Sequence, residues 1–407
     1  MDKKEKRKKQ IIETALQVWG DDFFYNTSLS SLANALGVSK TSLYRYFKNK
    51  EELLEALKHS FVSAYQAALE DADPLPQYNL RTVLKRHITY SVGFMSSHYH
   101  YYRFLVSHLF RRTQESQDLL NKVKETSTPL LNPELLHQCG VKQDDIKASL
   151  DYISAVSAFF LNQRLFSKQV YNTTEQEQLK KNLLFVLENG IDDGRKNIVP
   201  IDFNKVETLS MIGVEDIAPY NRVFSAVAEV IAEKGIWETT VESIAERLSM
   251  RKSSLYFYFK NREEMITEVV HREIEQLRTL IEERVRQFRN YREQLYAVFF
   301  VTWMYFDLKP SIFSIMNWLQ VQFVNKPVVF PEKPLFPKYT EYITLLTNST
   351  EFNPLKFPPE LVAQGMNSIL LQKLWNCRGK SVTKKEKIKE LRTIYSLVLH
   401  GLKGSIT

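Results

Sequence analysis

Apolar residues along most of this chain recur three and four positions apart, a spacing that predicts α-helices. Runs in which Val, Ile and Thr alternate with polar residues, as in strands, are rare, and only 12 of the 407 residues are Gly. The fold class is therefore predicted to be all-α. The longest stretches with helical spacing are residues 11–19, 53–69, 144–168 and 175–190 in the first half, and 223–233, 265–288, 360–375 and 384–402 in the second.

A long internal repeat is the most informative pattern in the chain. Residues 40–53 read KTSLYRYFKNKEEL and residues 252–265 read KSSLYFYFKNREEM. The two segments are in register at a constant offset of 212 residues, and the register runs back without a gap to Ile11 and Val223. Self-similarity at about half of the chain length indicates a duplicated domain or subunit and not a solenoid repeat.

The break between the halves is predicted where helical spacing is lost and turn-forming residues collect. Two Gly and two Pro fall between residues 194 and 219. The C-terminal segments 174–191 and 383–402 both open with Thr and charged residues and close with apolar residues and Gly, so the duplication is predicted to cover each half entirely. The predicted units are residues 1–55 and 56–194, a linker over 195–218, and residues 219–267 and 268–407.

Two short helices are predicted just ahead of the repeated phrase. Thr27 or Ser28 can cap a helix over residues 29–36, and Ser39 can cap a second helix over residues 40–47. Gly37, between them, suits a tight turn that needs a positive φ. Two short helices joined by such a turn are the helix-turn-helix pattern, whose second helix enters the major groove of DNA.

Hydrogen-bond donors crowd the exposed face of the predicted second helix, and donors suit phosphates and base acceptors. In the first copy they are Lys40, Thr41, Ser42, Tyr44 and Arg45. Lys48 follows at the start of the next helix, where the helix dipole also favours a phosphate. Tyr44 lies off the apolar face, so DNA contact is favoured over a place in the core.

The segment from Leu36-Gly37-Val38-Ser39 through Ser42-Leu43-Tyr44-Arg45-Tyr46-Phe47-Lys48 resembles the DNA-binding domain of TetR-type transcriptional regulators. The resemblance is carried by sequence motif at the start of each half and by helix pattern further on. It implies, for each half, a three-helix DNA-binding domain followed by a larger helical domain. That larger domain binds a small effector and dimerises through its last two helices as a four-helix bundle.

The resemblance also implies which side chains contact DNA. Thr27, Thr41, Tyr44 and Lys48 match phosphate-binding positions, and Lys40, Ser42 and Arg45 match positions that face bases or backbone. The residues predicted to contact DNA in the second copy are Thr239, Arg251, Lys252, Ser253, Ser254, Tyr256 and Lys260. The second copy departs from the pattern at the turn, where Ser249 and Met250 replace Gly37 and Val38.

A helix-turn-helix regulator needs two motifs, about 34–36 Å apart, to reach successive major grooves. One chain carries both here, so we expect a monomeric pseudo-dimer whose four C-terminal helices pack within the chain, with further self-association left open.

Ser39, Thr41 and Arg45 are replaced by Arg251, Ser253 and Phe257, which predicts an asymmetric operator. Arg favours guanine, whereas Phe offers an apolar contact, for instance to a thymine methyl. Alternatively, one motif binds DNA and the other is a structural or protein-interaction module.

Composition and motif content mainly exclude classes of protein. The net charge of +8 is compatible with nucleic acid, and Cys139 and Cys377 form no metal-ligand spacing. No nucleophile elbow, P-loop or dinucleotide fingerprint is present, so no enzyme activity, cofactor or metal is predicted. The N-terminus lacks a signal-peptide pattern, and the apolar run over residues 296–306 is too short for a membrane span of about 20 residues. We therefore expect a cytoplasmic protein with a buried helix there, and the family resemblance implies a bacterial one.

The remaining expectations concern regulation. Tyr90, Phe94, Tyr101 and Phe104 are candidates to line a pocket for a small apolar or aromatic effector, with plain core as the alternative. The basic residues between positions 3 and 9 form an arm that is either solvated and disordered or in contact with DNA. The expected function is a sequence-specific, double-stranded DNA-binding regulator, a repressor released by its effector.

Overall fold

A computed structural model of the chain describes residues 3–21, 28–72, 79–109, 114–167, 172–191, 200–217, 222–234, 239–257, 259–309, 357, 359–377 and 383–406. The regular elements in these residues are helices, which confirms the all-α prediction. Extended backbone pairs across them at an isolated bridge between Val141 and Ile406. None of the described helices has the length and apolar character that crossing a membrane requires.

The helices around the repeated segment follow the same order in both halves. The first half contains α1 (Lys3–Asp21), α2 (Leu29–Ala35), α3 (Lys40–Tyr44), α4 (Lys50–Glu70), α5 (Leu80–His87), α6 (Gly93–Ser97), α7 (Tyr99–Leu109), α8 (Gln114–Ser127), α9 (Pro133–Gln138), α10 (Ile146–Ser167) and α11 (Thr173–Asn189). A π-helical turn, Ile88–Val92, joins α5 to α6. The second half contains α12 (Phe203–Ser210), α13 (Arg222–Lys234), α14 (Val241–Leu248), α15 (Lys252–Leu255), α16 (Arg262–Val285), α17 (Tyr291–Leu308), α18 (Pro359–Cys377) and α19 (Lys384–His400).

The C-terminal helix pairs of the two halves pack on each other within the chain, as predicted. α10 packs against α18 and α19, and α11 packs against α19. Their apolar faces belong to one hydrophobic core that runs through the first half and into α17, α18 and α19. Ion pairs cross the same interface, with Lys147 2.5 Å from Glu390 and Lys373 3.1 Å from Asp151. The four helices thus form a bundle within the chain.

Two glycines at matching places let the backbones of the halves approach closely. Gly190 ends α11 with φ 71°, and Gly401 ends α19 with φ 62°. A Cβ on Gly190 would lie 2.2 Å from the Leu399 carbonyl oxygen, and one on Gly401 would lie 2.4 Å from the Asn189 nitrogen. The Ile191 N–H donates to the Val398 carbonyl at 3.0 Å across this contact. Any larger side chain at either glycine would push the halves apart.

The second DNA-binding unit has a hydrophobic core of its own. Among the described residues, this core joins α13, α14, α15 and the first part of α16, and Phe306 and Leu371 close it from α17 and α18. The first DNA-binding unit instead shares the large core, because α1 packs against α7 as well as α4. The two units are therefore similar in helix order but differ in how they join the rest of the molecule.

The stretch predicted as a linker, residues 195–218, needs a correction. Part of it folds as α12, which packs against α17, and Val206 is fully buried there. The Glu207 carboxylate accepts hydrogen bonds from the Tyr296 hydroxyl and the Arg392 Nε, both at 2.7 Å. Its apolar residues had no readable period because the helix is short and its partners lie far along the chain. This segment is thus anchored in the second half.

Substitution of the two interface glycines tests the close approach. Gly190→Ala and Gly401→Ala should each lower the free energy of unfolding by more than Gly37→Ala does. Gly37 has the same positive φ, 62°, but open space around its missing Cβ, so its cost is the left-handed strain alone. That strain is roughly 1–2 kcal/mol. Urea unfolding followed by circular dichroism measures the difference, and equal losses at the three positions would refute a contact between the halves.

Candidate nucleic-acid interface

Side-chain caps fix the two helices of the first motif. The Ser28 hydroxyl accepts the Ser31 N–H at 3.1 Å and begins α2, and the Ser39 hydroxyl accepts the Ser42 N–H at 3.1 Å and begins α3. Gly37 takes its positive φ in the turn between them. The helix α3 ends at Tyr44, three residues before the predicted end at residue 47. Phe47 is nevertheless buried. The result is the predicted helix-turn-helix.

The second motif keeps this geometry with weaker local support. Thr240 caps α14 by accepting the Ser243 N–H at 3.1 Å. Ser249 takes the left-handed conformation of the missing glycine, with φ 52°. Arg251 stands at the N-cap of α15 and makes no side-chain cap hydrogen bond, and α15 has four residues where α3 has five. The turn is thus retained at the cost of strain and of one cap.

The predicted DNA-contacting residues of the first copy lie on one exposed stretch, except for Thr27. Thr27 lies outside the described residues. Ser42 is half-buried, and Tyr44 is 43% exposed with the Lys40 ammonium 5.9 Å from its ring centre. The remaining exposed side chains of this set are Lys40, Thr41, Arg45 and Lys48.

Lys48 is set at the N-terminus of the following helix. It directly precedes Asn49, whose side chain caps α4 by accepting the Glu52 N–H at 2.8 Å. The Lys48 backbone N–H donates to the Glu52 carboxylate at 2.6 Å. Lys260 stands in the same place before Asn261 and α16, with its N–H on the Glu264 carboxylate. Both lysines therefore have a fixed backbone and an exposed ammonium where a phosphate is favoured.

The second copy presents a similar surface with two differences. Lys252 lies 5.7 Å from the ring centre of Tyr256, which repeats the Lys40–Tyr44 arrangement, but its ammonium also forms an ion pair with Glu242. That hydrogen bond lowers the pKa of the Glu242 carboxyl and raises the pKa of the Lys252 ammonium. Phe257, at the position of Arg45, is 88% exposed. Arg251, Ser253 and Lys260 are exposed, and Ser254 is half-buried.

Thr239 is a correction to the predicted set. Its side chain is fully buried, and its carbonyl accepts a hydrogen bond from the Arg262 Nε at 2.7 Å. Thr240, the next residue, provides the N-cap instead, so Thr239 is turned towards the interior. The prediction that Thr239 contacts a phosphate is therefore wrong.

The basic residues near the N-terminus and Phe257 are two further features of the surface. The basic arm is neither a tail nor disordered, because α1 begins at Lys3 and includes it. Lys8 on this helix lies 5.3 Å from the ring centre of Phe47, close to the end of the recognition segment. Phe257 was left out of the predicted contact set, although its alignment with Arg45 was a signal for including it. Its ring is 88% exposed in the turn that follows α15.

A cavity of about 860 Å³ lies in the first half, beneath the DNA-binding unit. Apolar side chains such as Val92, Met95, Leu105 and Phe159 line it together with polar groups. Three residues of α18, in the second half, also reach it: Ser368, Leu371 and Gln372. A volume of this size accommodates a small organic ligand.

The four aromatic residues predicted to line the pocket do not line this cavity. Phe94 and Tyr101 stack at 6.0 Å between ring centres and pack on Phe61 of α4. Tyr90 and Phe104 likewise pack in or against the core. Tyr102 lines the cavity instead, and its hydroxyl donates to Asn162 at 2.8 Å. Neighbouring helical residues point about 100° apart, so one position decides which face of α7 a ring occupies.

His87 also lines the cavity. It is buried, its Nε2 lies 3.3 Å from the Ser157 hydroxyl, and its Nδ1 has no hydrogen-bond partner in the described part of the chain. Burial lowers the pKa of His87 to about 4, so the ring is neutral at physiological pH. A ligand in the cavity would meet a neutral imidazole and not a cation.

Comparison with known proteins finds a match to one family in each half of the chain. Residues 11–57 and 223–269 each match the family of bacterial regulatory proteins, tetR family. The family's segment is therefore present twice in the chain, once at the start of each half. Its similar proteins are named as regulators of transcription or metabolism.

Three relatives show how far the similarity extends. The chain is 29% identical over 155 residues to the fatty acid metabolism regulator protein of Bacillus subtilis (strain 168), covering 36% of this chain and 76% of that protein. It is 26% identical over 162 residues to the uncharacterized HTH-type transcriptional regulator YuxN of the same organism, covering 38% and 54%. The structure of the fatty acid degradation regulator FadR from Bacillus halodurans aligns at 14% identity with a TM-score of 0.34, over 46% of this chain and 96% of that one.

The strain at Ser249 in the second turn can be tested by exchanging the residues of the two turns, Ser249 and Gly37. Ser249→Gly should stabilise the second motif by about 1 kcal/mol, because Gly adopts a positive φ without the steric cost of a side chain. Gly37→Ser should destabilise the first motif by a similar amount. Hydrogen exchange of the α14 and α15 amides, and of the α2 and α3 amides, reports each effect locally. A loss of protection in Ser249→Gly would contradict this account of the turn.

Proposed function

We propose that this chain is a repressor that occupies one operator as a single molecule, with its two motifs in successive major grooves. The intrachain bundle of α10, α11, α18 and α19 carries this proposal, because it uses the surfaces through which separate TetR-type chains would pair. Fusion replaces a concentration-dependent association with an intramolecular one. Operator occupancy should therefore rise linearly with protein concentration, not with its square.

The operator is proposed to be asymmetric. Arg45 and Phe257 occupy equivalent exposed positions in the turns that follow α3 and α15. A guanidinium can donate two hydrogen bonds to guanine, whereas a phenyl ring can only make apolar contacts, for which a thymine methyl is suited. The N-caps Ser39 and Arg251 differ as well. The two half-sites should consequently differ in sequence.

Selection of binding sites from a random DNA pool tests this proposal directly. The expected result is a site whose two halves differ, bound by one chain, with guanine enriched opposite the first motif and thymine opposite the second. Sedimentation of the complex gives the number of chains per site. A palindromic consensus, or two chains on each site, would contradict the proposal.

Paired substitutions control for the contribution of each motif. Tyr44→Ala with Lys48→Ala removes the exposed ring and ammonium of the first motif, and Tyr256→Ala with Lys260→Ala does the same in the second. Two working motifs predict a large loss of affinity from each pair. Loss from one pair alone would favour the alternative in which the other motif is a structural or protein-interaction module.

The cavity of the first half is proposed to hold the effector. Its walls are mainly apolar, so it suits a molecule with an extended apolar part, and its charged lining residues are of both signs, Lys124 and Lys147 with Glu125 and Asp151. The similarity to a protein named as a fatty acid metabolism regulator supports a fatty acid or its thioester. This class of ligand is more specific than the small apolar or aromatic effector expected from the sequence.

Helix α4 offers the route from the cavity to DNA. Leu53 and Leu57 near its start are buried within the first DNA-binding unit, while Tyr65, two turns later, lines the cavity. The Tyr65 hydroxyl lies 2.6 Å from Ser91 and 2.7 Å from Ser127, which ties α4 to two walls of the cavity. A ligand that spreads these walls would tilt α4 and move α3 away from its groove.

An effector of this kind should raise the melting temperature and weaken operator binding. At a ligand concentration of 100 times its Kd the stabilisation is about 2.7 kcal/mol. Palmitate is the probe and butyrate is the short-chain comparison, measured by thermal unfolding and by release of labelled operator. Ala158→Phe, which fills space at the half-buried cavity wall, should remove both responses.

Tyr90→Ala is the matched control, because Tyr90 is also a half-buried residue of the same domain but does not line the cavity. It should keep the response to palmitate. If butyrate acts as strongly as palmitate, or if Ala158→Phe responds normally, the cavity is not the effector site.

A further inference from the structure

We propose that Glu242 restrains Lys252 through their ion pair, and thereby makes the second motif bind DNA more weakly and with less salt dependence than the first. This inference rests on the proposed function, in which both motifs contact DNA. It identifies an acidic side chain outside the recognition helix as a determinant of operator affinity. The argument depends on comparison of the two copies within one molecule.

The two lysines occupy the same position in every respect but one. Lys40 and Lys252 are the first residues of α3 and α15, and both are exposed. Each ammonium lies near the ring of the tyrosine one turn later, at 5.9 Å from Tyr44 and 5.7 Å from Tyr256. Both side chains are thus held at the same end of their recognition helix, over equivalent rings.

The partner on the preceding helix is what differs. Glu242 lies in the first turn of α14, and its carboxylate forms an ion pair with the Lys252 ammonium. The residue at the corresponding position of α2 is Ser30. Within the described part of the chain Lys40 forms no ion pair with a carboxylate. One substitution between the copies therefore decides whether the lysine is already engaged.

Other cations of the second unit are engaged in the same way. Arg247 on α14 forms ion pairs with Glu229 at 3.0 Å and with Glu233 on α13. The Arg262 guanidinium donates to the Thr239 carbonyl. The first unit has Ala35 in place of Arg247, and the arm of basic residues on α1 has no counterpart before α13. Electrostatic attraction to DNA is accordingly concentrated in the first unit.

Engagement by Glu242 changes both the affinity and its response to salt. A lysine that neutralises a phosphate releases a condensed cation, which gives a slope of about −0.9 in log K against log salt concentration. When Lys252 leaves Glu242 for a phosphate, the freed carboxylate attracts a cation again and repels the neighbouring phosphates. The gain from the contact is therefore offset. The pair is exposed, so salt screens it and the restraint is reversible.

The second motif consequently depends on uncharged contacts. Phe257, at 88% exposure, and Tyr256, at 46%, are its most exposed large apolar side chains. In the first motif the same two positions hold Arg45 and Tyr44. We expect the first motif to supply most of the salt-dependent affinity and the second to discriminate between bases through its rings.

Reciprocal substitutions in the full chain test the restraint. Glu242→Ser gives the second copy the residue of the first, and Ser30→Glu does the reverse. Operator affinity is measured by fluorescence anisotropy on DNA with both half-sites, between low and moderate salt. Glu242→Ser should tighten binding and steepen the slope by up to about one unit, equivalent to a further three- to fourfold loss when salt rises fourfold. Ser30→Glu should weaken binding and flatten the slope.

Glu246→Asn is the matched control for charge. Glu246 is exposed on the same helix, the ion pairs of the described residues do not include it, and its counterpart in the first copy is Asn34. It loses the same charge as Glu242→Ser without releasing Lys252. Equal effects of Glu246→Asn and Glu242→Ser would overturn the specific restraint. Lys252→Ala should also cost much more affinity in the Glu242→Ser background than in the native chain, and equal costs would overturn it too.

Failure of this inference is distinguishable from failure of the proposed function. If Glu242→Ser has no effect while the Tyr256 and Lys260 alanine pair weakens binding, the second motif binds DNA and only the restraint is refuted. If neither has an effect, the second motif does not bind DNA, and both the restraint and the two-motif operator are refuted. All of the substituted glutamates are exposed, so circular dichroism should show an unchanged fold.

Discussion

The contact between the ends of α11 and α19 is the constraint on which the rest of this molecule depends. There the backbones of the two halves meet without intervening side chains, and Gly190 and Gly401 each occupy a conformation and a space that a Cβ would not tolerate. Ion pairs link α10 to α18 and α19 elsewhere in the same bundle. With the bundle fixed, the two DNA-binding units are held in one arrangement by covalent and packing forces together. The molecule does not need a second chain to present two motifs.

The duplicated units have not remained equivalent within this frame. The first motif has a capped recognition helix, a glycine turn and exposed cations, whereas the second has an uncapped helix, a strained serine and cations paired within the protein. Each difference alone is small in energy. Together they support the proposal that the two motifs contact DNA differently, and the second unit also has a separate hydrophobic core.

The parts of the structure that were predicted correctly are those set by local pattern. Helical spacing identified the C-terminal helices, whose packing as a bundle was implied by the family resemblance, and the residues around Ser28, Gly37 and Ser39 identified the motif from its caps and turn. The errors arose where tertiary packing decides. Thr239 and Thr240 are equally able to cap a helix, and packing alone chooses between them. Tyr101 and Tyr102 differ by one helical position, which separates the core from the cavity wall, and α12 is stabilised by Tyr296 and Arg392, far away in the sequence.

The restraint of two unequal halves in one chain has a consequence for how such a regulator can change over time. In a homodimer every substitution appears twice, so a change in base preference alters both half-sites at once and must be matched by two changes in the DNA. Here Arg45 and Phe257 are encoded separately, and each can be replaced without touching the other. Under the proposed function, one motif could keep its base preference while the other motif acquires a new one. On the proposed asymmetric operator the bound protein would also have a direction along the DNA, so the two orientations of that operator would not be equivalent for the sequences on either side.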